Sequence, residues 1–137
     1  MDDKENGPLR RASPDELALL NWLVEHGNPE AQAFAPQVEG IRTTRWCTCG
    51  CPSLALHVED GAPPGTSPHS IVADLIGWNP DGKRVFLMLF QKNGLLSVLD
   101  VHPAGLIDGD FGLPAVECLQ TWEDLGRSGM PFAAKSP

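Results

Sequence analysis

Positive charge is scarce in this chain. Ten Lys and Arg stand against 18 Asp and Glu in 137 residues, a formal net charge of −8, and no Lys or Arg occurs between Lys92 and Arg127. A nucleic-acid backbone as main partner is therefore excluded, because neutralising phosphates needs clustered cations. No uninterrupted apolar run reaches the roughly 18 residues of a helical membrane span, so no membrane partner is expected. The opening residues, Met1 to Pro8, are charged and hold no apolar stretch. They do not read as a secretory signal, and the chain is expected to be cytoplasmic, its cysteines reduced thiols, metal ligands or redox groups and not structural disulfides. Internal repeats, low-complexity tracts and a nucleophile-elbow signature are missing too, and with them solenoid folds and the commonest hydrolase signature.

What is present suits one α+β domain. Apolar residues make up 42% of the chain, and about two-thirds of the unfolded surface of a domain this size is buried on folding. Residues 1–12 are polar and aperiodic and predict a disordered tail; residues 13–125 predict the domain, and 126–137, rich in Gly, Pro, Ser and Ala, a flexible tail. Ser13-Pro14-Asp15-Glu16 is a helix start with cap, N1 proline and capping box. Leu17, Leu20 and Val24, widened by Trp22 and Leu23, give the apolar face, and Gly27 stops it. Asn28-Pro29-Glu30 starts a second helix that Pro36 ends or kinks, making a helix hairpin. Strands follow over residues 41–48, 54–59, 71–78, 85–90 and 95–101. Asn79-Pro80-Asp81-Gly82 and Asn93-Gly94 are tight turns. The expected architecture is a helix hairpin on an antiparallel meander of about five strands. Val85 to Phe90 is apolar at six consecutive positions and needs cover on both faces. Two helices on one side leave the other to a homodimer or to curling of the sheet. Residues 116–125 predict one more short element.

The most distinctive chemistry lies in Arg45-Trp46-Cys47-Thr48-Cys49-Gly50-Cys51-Pro52. Zinc requires thiolates converging at about 2.3 Å from the ion, whereas alternate residues of a strand lie about 6.6 Å apart. Gly50 and Pro52 would have to bend the chain, with Cys118, His57 or His69 completing a set. The same cysteines also read as small buried hydrophobes, or as a strained and easily reduced Cys49–Cys51 dithiol. Zinc is the one cofactor the sequence suggests. Gly77 to Arg84 mimics a phosphate-binding loop, but Arg84 replaces the Mg²⁺-binding hydroxyl and a strand follows, so it reads as a hairpin turn. Asp108 to Gly112 opens like a calcium loop and lacks the later ligands. His57, Glu59 and Asp60, and likewise His69, Ser70 and Asp74, have the residue types for acid–base chemistry without a recognisable catalytic spacing. Asp100, Asp108, Asp110, Glu117, Glu123 and Asp124 fall in the stretch without cations. On one face they would steer a basic protein partner.

The segments Ala18 to Gly27, Trp46 to Ser53 and Leu96 to Val101 resemble a family of small uncharacterised bacterial proteins marked by Cys-x-Cys-Gly-Cys-Pro-Ser, over residues 14–120. The resemblance implies a fold and no catalytic activity. Leu96-Ser97-Val98-Leu99, followed by a Pro-containing acidic segment, is also similar to some toxin-immunity proteins. The leading expectation is a non-enzymatic domain that binds another protein, immunity-like or as an adaptor. The alternatives are a zinc or thiol-redox protein using Cys47, Cys49 and Cys51, and a small-ligand pocket between helices and sheet lined by His57 or His102.

Overall fold

The computed structural model describes residues 6–46, 52–79, 82–103 and 112–122. Among them, six strands form one antiparallel sheet in the order β1-β2-β3-β6-β5-β4. The strands are β1 Asn6–Arg11, β2 Arg42–Arg45, β3 Leu54–His57, β4 Ile71–Trp78, β5 Arg84–Lys92 and β6 Leu95–Pro103. The architecture is α+β as expected, with one strand more and a different order. The long segment after β3 carries the chain past β5 and β6 to the far edge, so β3 pairs with β6 and the sheet is not a simple meander. Residues 6–11, expected in a disordered tail, form the edge strand β1 on β2.

The helix α1, Pro14–His26, starts as its sequence dictates. Glu16 N–H donates to Ser13 Oγ, and Ser13 N–H donates back to the Glu16 carboxylate. The second helix is not α-helical. Pro29–Gln37 is the 3₁₀ helix η1, with Pro36 inside it. Proline lacks the N–H that an α-turn needs and its ring crowds the preceding turn. Both helices pack on the same face of the sheet. Leu19, Leu20, Leu23, Phe34, Leu87, Leu89 and Leu99 are at most 1% exposed there and form the centre of the core. In α1 the buried stripe is Glu16, Leu19, Leu20, Leu23 and Val24, so Leu17 stands at its margin.

Two polar contacts tie this layer together. Gln37 is fully buried. Its Nε2 donates to Pro63 O (3.0 Å) and Gly94 O (2.7 Å), and its Oε1 accepts from Leu96 N–H (2.9 Å). One amide thus joins η1, the loop before β4 and the β5–β6 turn. That turn is the expected Asn-Gly, with φ of 57° at Asn93 and 86° at Gly94. At the other side, Arg10 of β1 grips Glu16 with two hydrogen bonds of 2.9 and 2.7 Å. Burial pushes the Glu16 carboxyl up. The Arg10 hydrogen bond, the Ser13 N–H and the Arg10 charge outweigh it and hold the carboxyl below the ordinary glutamate range.

Replacing Gln37 with Leu leaves Leu96 N–H and Pro63 O without their buried partner. About 3 kcal/mol of stability is expected to be lost, read as a lower urea midpoint at unchanged slope. Glu16 has a folded pKa below its unfolded value of about 4.3, so its contribution is complete above that pH and vanishes as pH falls through the folded value. Acid titration of stability should therefore be shallower in Glu16→Gln than in the parent below about pH 4.5. The difference should be of order 1 kcal/mol, because Arg10 is half exposed.

Candidate functional site

Alternation along β5 separates two environments. Val85, Leu87 and Leu89 are fully buried against the helices, whereas the intervening Phe86, Met88 and Phe90 point to the opposite face and are only half-buried. The described helices leave this outer face to side chains of the sheet itself and to Trp122. Register sets those side chains in rows. Asp74, Met88 and Asp100 form one row across β4, β5 and β6; Ile76, Phe86 and His102 form the next; Phe90, Val98, Ala55 and Thr44 form a third.

A continuous chain of contacts crosses the outer face. Trp122 donates its indole N–H to Asp74 Oδ1 (3.2 Å) and stacks on Phe86 at 5.9 Å between centroids. Phe86 meets His102 at 5.6 Å in a tilted arrangement. His102 Nδ1 lies 3.4 Å from Asp100 Oδ2, and Asp100 Oδ1 accepts from Ser53 Oγ at 3.2 Å. Beside this chain a groove of about 510 Å³ runs between Trp46, Phe90, Val98 and Asp100, with Lys92 at its hairpin end. Ser70, Gln91 and Ser97 also line it, and Lys92 and Asp100 are its charged members.

Ser53, Asp100 and His102 contain the residue types of a hydrolytic triad in the wrong order. Ser53 Oγ faces the carboxylate instead of the imidazole. It also accepts from Val101 N–H (2.8 Å), faces Val101 O at 3.1 Å and is 1% exposed. Nucleophilic catalysis needs the base within reach of the hydroxyl proton, so this set fastens β3 to β6 and orients His102. Ser53→Ala should cost about 1–3 kcal/mol by leaving Val101 N–H unpaired, checked by thermal unfolding.

The structure separates the residues singled out from sequence. Cys47, Cys49 and Cys51 lie outside the described residues, as do Asp108, Asp110, Glu123 and Asp124. The segment holding the three cysteines connects β2 to β3, and its base is closed by Trp46 N–H donating to Ser53 O (3.0 Å). Cys118 is elsewhere. It belongs to the short 3₁₀ helix η2, Val116–Cys118, beside Gly77 of β4, three strands from β3 and about 14 Å across the sheet. Among the described residues no group of three or more His, Cys, Asp or Glu suits a metal ion. Of the acidic set, Asp100 stands on the outer face. Glu117 lines a different cavity of about 680 Å³ between the start of α1, Trp78, Asn79 and Cys118. His57 and His102 were expected between helices and sheet; both instead point to the outer side, because Leu56 and Val101 beside them take the core positions. His69 and Ser70 are exposed, and Asp74 accepts from the Trp122 indole. The near phosphate loop is the β4–β5 turn, closed by Asn79 N–H to Lys83 O (2.8 Å), with the Arg84 guanidinium 5.5 Å from the Trp78 ring centre. Burial lowers the Arg84 pKa from its ordinary value.

Sequence reasoning did not connect Trp122, Phe86 and His102. The available signal was the run Val85 to Phe90, whose second apolar face had to meet something. No helix among the described residues is long and apolar enough to cross a membrane. Comparison with protein-family models, with curated proteins and with solved structures finds no match.

Proposed function

We propose that this protein is a binding module whose outer sheet face docks a basic, partly apolar segment of another protein. The observation that carries the reading is the outward row Phe86, Met88 and Phe90, only half-buried beside a groove walled by Trp46. Contiguous apolar surface rimmed by polar groups is the ordinary mark of a protein interface. The partner's charge follows from what flanks that row. Asp74 and Asp100 sit on either side of Met88, and the chain as a whole carries −8. A cationic side chain laid over Met88 meets a carboxylate on each side, while Phe86 and Trp122 offer ring faces for cation–π contact. Aromatic rings and Met supply area at low conformational cost, and the carboxylates supply register and steering.

A synthetic peptide of alternating Leu and Arg tests this directly, against the same peptide with Glu for Arg. Amide resonances of β5 and β6, together with Trp fluorescence, should move with the Arg peptide alone. The affinity should fall as salt rises and drop at least tenfold in the double variant Asp74→Asn, Asp100→Asn. Shifts confined to other strands, or equal binding of both peptides, would remove the proposal.

A further inference from the structure

The opposite half of the outer face has a different chemistry. Register places Arg11 of β1 opposite Arg42 of β2, and Arg42 opposite His57 of β3. Neighbouring strands are about 4.8 Å apart, so the three side chains stand side by side in one row. Like charges directly opposite on a sheet oppose pairing. The neighbouring Arg10 shows how the fold neutralises a guanidinium when it uses one structurally, through the two-point grip on Glu16. Arg11 and Arg42 have no such partner: among the described residues their side chains make no hydrogen bond or ion pair.

Both line a cavity of about 550 Å³ at the open end of β1–β2–β3, with His57, Glu59 and Asp60. The two carboxylates could have quenched the arginines and do not. Glu59 leans over the turn at Gly40, where its Oε1 lies 2.6 Å from the point a Cβ would occupy; φ at Gly40 is +85°. The cavity therefore keeps a cationic wall and an acidic rim apart. From this we infer that it binds a small phosphate-bearing molecule. The oxyanion would span the guanidiniums of Arg11 and Arg42, whose planar forks match a tetrahedral oxyanion, and His57 would close the row. Glu59 and Asp60 would accept hydrogen bonds from hydroxyl or amino groups on the body of the ligand. A carboxylate shares the charge and the fork geometry but presents fewer oxygens to two arginines. The site is independent of the proposed protein-docking surface, since it lies on β1–β3 and uses none of the groups placed there.

The test uses the full chain at constant ionic strength. Inorganic phosphate, ribose 5-phosphate and succinate are titrated separately, with chloride as the balancing ion. Amide resonances of β1, β2 and β3 and the melting temperature are followed. Saturable shifts at Arg11, Arg42 and His57 with phosphate are expected, tighter with ribose 5-phosphate because its hydroxyls reach the acidic rim. Arg42→Gln should weaken binding at least tenfold, while Arg45→Gln, outside the cavity, should leave it unchanged. Both positions are exposed, so a native far-UV spectrum in each variant is expected and excludes unfolding as the cause. Tighter binding of succinate than of either phosphate would overturn phosphate as the ligand. A response that does not saturate, or equal loss in Arg42→Gln and Arg45→Gln, would overturn the site.

Discussion

Among the described residues, Val85, Leu87 and Leu89 have helices to bury against; Phe86, Met88 and Phe90, on the same strand, do not. That asymmetry is the constraint on which the rest of the described structure turns. α1 and η1 follow one another closely and share one side of the sheet, so the core forms there in a single layer. Among the described residues, the outer face is assembled from the sheet's own side chains and Trp122. It is held through contacts of modest individual strength: a stacked Trp–Phe pair, a tilted Phe–His pair and two carboxylates that fix the ends. Aromatic pairs add about 0.5–1.5 kcal/mol each beyond the area they bury. Such a surface holds its own shape and still presents apolar groups.

The single layer also explains why a buried amide is tolerated at Gln37. A 3₁₀ helix has poorer hydrogen-bond geometry than an α-helix and seldom runs this long. Its C-terminal residue anchors to Pro63, Gly94 and Leu96 and converts that weak element into a fixed floor for two loops. The helical layer gains its shape from long-range bonds as much as from its own turns. Loss of any one partner would free a loop before it freed the sheet.

How much of this was legible in the sequence depended on how local the cause was. Ser13 and Glu16 cap a helix within four residues, and Asn93-Gly94 turns a hairpin within two; both read correctly. β4 was read with its observed bounds because Ile71 to Trp78 is a β-rich run between turn residues. β1 was missed. Asn6 to Arg11 holds Pro8, two arginines and one exposed leucine, and no short-range pattern marks it as a strand. It is held by pairing with β2 and by the Arg10–Glu16 grip, both of them tertiary. The same holds for the outer-face network, whose members come from residues 53 to 122 and meet through strand register and through the side-chain contacts of Trp122. The six apolar residues of Val85 to Phe90 predict cover on both faces of β5; burial instead alternates along it, and nothing in the sequence says which aromatic group meets which.

Charge completes the division that the helices begin. Four of the chain's ten Lys and Arg fall on β1 and β2, as Arg10, Arg11, Arg42 and Arg45, while Asp74 and Asp100 lie on β4 and β6. Both edges are guarded by different means. Pro8 and the arginines of β1 discourage strand addition at one edge. At the other, Asn28 N–H and Nδ2 take the carbonyls of Val72 and Ile71, and Gln120 exchanges backbone bonds with Ile76. Pairing by edge is thus discouraged on both sides. One face is filled by the core. The other carries Arg11 and Arg42 at one end and an acid-flanked aromatic strip at the other.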